Sequence, residues 1–486
     1  MNKIQSLKSK ISCFIIVAIL LMGNISFAQN FSPEVEKFIS VDTTTVAIKN
    51  VTLIDGTGTS EKPNQTIIFT DGKITQLGNA ADIEIPKNTL VLDGHNKTVM
   101  PGLVMVHEHM YISAHSLETR YANVRQLPVT FPRLYLAAGA TTIRTAGNVE
   151  SYSDLNIKRD IDNGRIPGPF MEVTAPYLEG NGSIFPQMNE LKRPEDAETF
   201  VNYWADQGFT SFKGYMAIDK PTLKAAIDAV HKRHLKITAH LCAVTYREAA
   251  ELGIDNLEHG FLASTDFSPN KKENECNVDS EIDIAQIDIV DPKVKNLLQF
   301  LIDKKVGVTS TLAVFEGFLS TQKAPSTEVL NAFSPDSRDY YLKQFANIKS
   351  SVGPTAFDKA YLNNAKMEKL FYDMGGLLTV GTDPTGNGGT LAGYGTWQAI
   401  ELLVEADGFS PLEAIKIATL NGAKALGFEK TKGTIEIGKN ADLLLIEGNP
   451  SKNISDIRNV EFVFKNGVGY NSKKLFESVK GKVGFN

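Results

Sequence analysis

Eight short apolar runs alternate with helix-patterned segments between residues 101 and 431, and this alternation constrains the fold more than any other feature of the chain. The runs are Leu103–Val106, Thr141–Thr145, Phe170–Thr174, Thr210–Lys213, Ile237–Ala239, Ile254–Leu257, Val306–Ser310 and Leu377–Val380. Each has the length of a strand, and strands that alternate with helices pair in parallel. Eight such units predict an α/β fold, a (β/α)8 TIM barrel. Helical periodicity is clearest over Pro221–Arg233 and Ser410–Leu426. Pro221 and Pro411 fall in the first turn of these segments, where a missing N–H costs little.

On either side the texture changes. Val46–Leu53, Gln65–Phe69, Lys73–Leu77 and Leu90–Leu92 read as short strands, with Asp71-Gly72 as a hairpin turn. Gly433–Ile437, Asp442–Glu447 and Val460–Lys465 repeat that pattern near the other end, with Asn466-Gly467 as a second turn. Residues 29–100 and 432–486 are therefore expected to form one small β-sandwich domain beside the barrel of residues 101–431; separate β modules are the alternative. A chain of 486 residues has room for both. Residues 264–290 are polar and acidic, and a connection of that length is expected to be a lid or a disordered insert.

Residues 1–28 have the layout of a secretory signal peptide. Lys3, Lys8 and Lys10 come first, Ile11 to Gly23 is almost wholly apolar, and Ser26-Phe27-Ala28 supplies a small-x-small cleavage pattern. The apolar run falls short of the ~20 residues that span a bilayer, which favours cleavage after Ala28 over an uncleaved anchor. Export to the periplasm or medium is expected, with no stable membrane insertion afterwards. Loss of the three lysines takes the net charge from −6 to −9, so the remaining chain offers no broad footprint for nucleic acid. Cys242 and Cys276 then remain, either paired or inert.

His107 and His109 sit two apart at the end of an apolar run. A period of two puts both side chains on one face while Glu108 points the other way, so both histidines can reach one metal. Such a pair is weak evidence alone. Its weight rises because His240, His259, Lys213 and Asp383 also end predicted strands, the rim where barrel enzymes build their sites. His231 and His234 read as a solvated helix face, His95 as a turn, and His115 as loop or helix start. Asp383-Pro-Thr-Gly-Asn-Gly-Gly-Thr lacks the Lys-Ser or Lys-Thr of a phosphate loop and is expected to form a rim beside the site. Arg144, Tyr177 and Tyr215 end or follow strands; they could contact substrate, the arginine through a carboxylate, or serve structural hydrogen bonding.

Pro101-Gly-Leu-Val-Met-Val-His-Glu-His, Gly139-Ala-Thr-Thr-Ile-Arg, Ser211-Phe-Lys, Ala239-His, Glu258-His-Gly and Gly381-Thr-Asp-Pro together resemble the amidohydrolase superfamily. Ala418-Thr-Leu-Asn-Gly-Ala-Lys-Ala-Leu-Gly and Gly433-Thr-Ile-Glu-Ile-Gly-Lys-Asn-Ala-Asp-Leu extend the likeness over nearly the whole chain beyond the leader. The subtype is the binuclear one with a carboxylated lysine, similar to imidazolonepropionase-like proteins and metallo-dipeptidases. The chain departs from the pattern at Met105, where the family usually has Asp; this residue is not a ligand, but the surroundings of His107 must be built differently.

The resemblance implies two divalent metals, zinc first, with manganese, cobalt or iron also suited to the donor set. His107, His109 and Asp383 would hold one and His240 and His259 the other, with Lys213, as an N6-carboxylysine formed from carbon dioxide, bridging them together with a hydroxide. Asp383 would double as the proton shuttle in cleaving the amide bond of a dipeptide, an N-acyl amino acid or a cyclic amide. The partner is then a small molecule, and homo-oligomers are common among such proteins. Two other readings compete. Heterocycle deaminases of the superfamily typically use one metal and lack the bridging lysine, which Lys213 argues against. A catalytically silent binding protein on the same barrel would usually have lost ligands, and none is missing here.

Overall fold

The computed structural model describes residues 31–115, 122–183, 185, 187–350, 353–385 and 388–484. The expected leader, residues 1–28, lies outside them.

The two chain ends meet in one nine-stranded sheet. Strand Leu443–Glu447 pairs antiparallel with Lys97–Pro101, setting Leu443 against Pro101 and Leu445 against Val99. Thr45–Leu53, Lys62–Thr70 and Lys73–Asn79 continue the sheet on one side, and Val460–Lys465, Val468–Asn471 and Ile39–Val41 on the other. The halves thus join edge to edge in a single hydrogen-bonded sheet, where two stacked sheets of a sandwich had been expected. Asp71-Gly72 and Asn466-Gly467 turn as predicted; φ is positive at all four residues (48°, 72°, 50° and 84°), as a two-residue hairpin with right-handed twist requires. Val46, Ile48, Ile67, Phe69, Val99, Leu443, Leu445 and Phe464 share one buried apolar cluster. Gly433–Ile437 is not a strand. Its alternation suggested one, but Ile435 N donates to Asp55 O at 3.0 Å, and the segment joins no ladder.

All eight internal runs are strands. They are β1 (Leu103–Glu108), β2 (Ala140–Thr145), β3 (Phe170–Glu172), β4 (Ser211–Gly214), β5 (Lys236–Ala239), β6 (Asn256–Glu258), β7 (Gly307–Ser310) and β8 (Leu378–Val380). Every pairing among them is parallel. They form two arcs, β3-β2-β1 and β4 through β8, and not one closed ladder. Past β3 the chain is joined to β4 by isolated bridges and not by a continuous ladder, among them Ala175 N to Ser211 O and Leu178 N to Lys213 O, both 2.9 Å. At the other seam Asp383 N donates to His107 O at 3.0 Å. A Cβ on Gly381 would lie 2.3 Å from that of His107, so only glycine lets the end of β8 come this close to β1.

Helix Lys220–Lys232 starts one residue before its predicted Pro221 because Asp219 caps it, accepting from Thr222 N at 2.8 Å. The predicted Ser410–Leu426 helix has a π turn at Ile417–Asn421 between two α segments. Asn421 there donates to Leu378 O at 2.8 Å, tying the helix to β8. A hairpin, Tyr111–His115 with Ala122–Gln126, follows β1 where the sequence suggested loop or helix start at His115. Among the described residues no helix is long and apolar enough to cross a membrane.

The 264–290 insert contains helix Ser280–Gln286 and is tied down by a Cys242–Cys276 disulfide, with a Cα–Cα distance of 5.0 Å. The bond closes a loop with a sequence separation of 34. Loop-closure entropy then assigns it about 4 kcal/mol, so C242S/C276S is expected to lose roughly that much in denaturant unfolding. An unchanged midpoint would show that packing alone holds the insert.

Candidate metal centre

β1 is buried along its whole length and delivers His107 and His109 to its C-terminal end. β4 carries Lys213, His240 follows β5, His259 follows β6, and Asp383 follows β8. All six side chains line one cavity of about 240 Å3. His259 and Asp383 both adopt positive φ, 68° and 48°, an uncommon conformation for such residues and one that concentrates at functional sites.

The distances suit cation binding. One nitrogen each from His107 and His109 and a carboxylate oxygen of Asp383 all lie within 4.8 Å of one another. His109 Nε2 is 3.4 Å from Asp383 Oδ1, and His107 Nε2 is 3.6 Å from Oδ2. The His240 and His259 rings are 4.3 Å apart between centroids, and those of His107 and His259 4.8 Å. Lys213 Nζ stands 3.4 Å from His107 Nε2. Each of three imidazoles is aimed by its other nitrogen: His107 Nδ1 meets Glu258 Oε2 at 2.6 Å, His109 Nδ1 meets Gly147 O at 2.9 Å, and His259 Nδ1 meets Thr311 Oγ1 at 2.9 Å. Metal-binding histidines are oriented by such partners.

Burial dominates the electrostatics. It lowers His107 to about 4 and His240 to about 3, with Lys213 adding to both, and pushes His259 well down, so the lone pairs stay free. Burial also brings Lys213 down to about 8. Among the described residues no carboxylate lies within ion-pair distance of its amine. Burial opposes charge on Asp383, yet His107, His109 and His259 hold it well below the usual carboxylate range. Neutral imidazoles, an ionised carboxylate and a lysine with a readily available neutral amine fit the divalent metals and the carbamate that the motif implies.

Tyr177 and Tyr215 face the same cavity, their rings 5.6 and 5.7 Å from Lys213 Nζ. Tyr177 OH also meets Tyr111 OH at 2.8 Å. Val149, Phe185, Met188, Phe315 and Phe318 complete an apolar wall, and Thr385 donates to Asp383 Oδ1 at 2.8 Å. Arg144 does not join them. Its guanidinium is buried against Glu258, so the expected contact with a substrate carboxylate is not made from this position. Sequence reasoning missed Glu258 as the partner of His107; Asp255 and Asn256 share its segment, so nothing local singled it out. Met105, where the family usually has Asp, is wholly buried in the apolar core. His95 and His231 pair with Asp93 and Asp255 away from the cavity.

The model of the Amidohydrolase family matches residues 98–469. A 5-methylthioadenosine/S-adenosylhomocysteine deaminase of Thermoanaerobacter pseudethanolicus is 58% identical over 36 residues, 7% of this chain and 8% of that one. An imidazolonepropionase of Picrophilus torridus is 40% identical over 73 residues, 14% and 18% of the two chains. The matches thus span less than a fifth of these relatives. The solved structure of a Xaa-Pro dipeptidase with methionine bound in its active site superposes with a TM-score of 0.65 at 18% identity, covering 88% of this chain and 100% of that one. At that identity the likeness speaks for the fold.

Proposed function

Because the chain belongs to the amidohydrolase family, and is therefore a metal-dependent hydrolase of carbon–nitrogen bonds, we propose that it cleaves an amide bond flanked by an uncharged, apolar group. One observation carries the reading: Lys213, a buried lysine without a carboxylate partner among the described residues, stands among four histidines and Asp383 on one cavity. His107, His109 and Asp383 would hold one divalent ion, His240 and His259 the other, and Lys213 would bridge them after its neutral amine adds to carbon dioxide and releases a proton. Bound metals of this kind activate water at neutral pH and polarise a carbonyl. Asp383 takes a proton from the attacking water and returns it to the nitrogen as the C–N bond breaks. The family also supports reading the two strand arcs as a loosely seamed (β/α)8 barrel.

The wall favours the substrate class. Phe185, Met188, Phe315 and Phe318 offer apolar contact to a substrate side chain, and among the described lining residues no arginine and no acid other than Asp383 is available to pair with a charged one. N-acyl amino acids and dipeptides with aromatic or aliphatic residues are expected to turn over, and those with acidic or basic side chains poorly. A metal-loaded protein that cleaves none of a broad amide panel, yet releases ammonia from aminated heterocycles, would favour the deaminase reading. Inertness towards both would favour a silent binding protein. The leader-like segment and the disulfide support export, since such bonds persist in oxidising compartments. Export predicts a mature chain beginning at Gln29.

A further inference from the structure

Arg144 ends β2 with its side chain turned away from the cavity, and its surroundings give it another task. Its Nη2 meets Glu258 Oε1, the same oxygen that accepts from Thr238 Oγ1 and, at 3.4 Å, from Asn256 Nδ2. The opposite oxygen, Oε2, is 2.6 Å from His107 Nδ1. All of these side chains are buried. Among the described residues Arg144 has Glu258 as its one ion pair, and its Nε stays buried without a hydrogen-bond partner. The guanidinium is thus committed to a single carboxylate. An imidazole that donates through Nδ1 keeps its lone pair on Nε2, the atom that faces Lys213 and Asp383. Turning the carboxylate would turn that donor pair with it.

We propose that Arg144 is a positioning residue, whose guanidinium fixes the rotation of Glu258 and so holds His107 with Nε2 aimed at the metal. The inference rests on the metal-centre reading above. A second cavity, of about 280 Å3, is lined by Arg144, Glu172, Ser211 and Lys236 and shares no lining residue with the metal cavity. It offers a route to Arg144 that bypasses the substrate.

The test measures cobalt(II) affinity of the full-length protein by chelator competition, together with the visible spectrum of the bound ion. R144M is expected to weaken binding about 10- to 100-fold, the usual effect of losing a partner that orients a ligand, and to alter the spectrum. Millimolar guanidinium, entering through the second cavity, should recover much of the affinity. R144K should recover less, because an ammonium lacks the planar fork. R144M/E258Q leaves no buried charge unpaired, so it tests the idea even if R144M fails to fold; it too is expected to bind weakly. Affinity of R144M within twofold of wild type would overturn the proposal. So would full affinity in the double variant, which would trace the loss to an unpaired charge and not to aim. A wild-type chain that binds no cobalt would instead overturn the metal-centre reading before any variant is compared.

Discussion

Lys213→Ala is expected to lose roughly 10^3-fold or more in kcat/KM together with most of its bound metal. Removing one preorganised electrostatic contact typically costs about 10^2–10^3. Here, on the proposed reading, the contact would also assemble the site, because a carbamate on Lys213 would serve as a ligand to both cations. The fold should survive. Lys213 is almost fully buried, with no carboxylate paired to it among the described residues, so its removal breaks no ion pair there. Circular dichroism and metal-free thermal unfolding are therefore expected to match the wild type. A small carboxylate such as acetate, entering the space left by the side chain, should restore part of both metal content and rate. Retention of metal and activity in this variant would remove the bridging role and with it the reason for assigning Lys213 to the site.

Asp383→Asn separates proton transfer from ligation. The amide keeps an oxygen for the metal and tolerates the positive φ of 48° at this position. The backbone bond to His107 O and the Thr385 hydroxyl remain as partners. What disappears is the capacity to accept a proton. A fall of about 10^2–10^4 in kcat is expected, with KM nearly unchanged and metal content reduced less than in Lys213→Ala. A kcat within tenfold of wild type would move the shuttle to another group.

The eight strands were legible because each is a short apolar run bounded by helix signals, a pattern that needs no long-range information. The H-x-H pair was legible for the same reason: period two on one buried strand fixes where both rings point. Other features depend on contacts that no local pattern reports. Glu258 meets Arg144 and His107 across sequence separations of 114 and 151. Gly433–Ile437 alternates like a strand, yet the positive φ of Gly433 and Gly438, 85° and 91°, bends the backbone away from any ladder. Strand Lys97–Pro101 was missed because its proline argues against a central strand, although at the last position it forfeits little of the ladder. The pairing of Cys242 with Cys276 required the insert to fold back over the residues that follow His240, which composition does not encode. The edge-to-edge joining of the terminal strands likewise follows from Lys97–Pro101, which pairs with partners from both chain ends.

One cavity that collects ligands for a pair of cations should take up both. The decisive measurement is elemental analysis of full-length protein, purified without chelators and saturated with zinc. Two zinc ions per chain are predicted; one or none would contradict it.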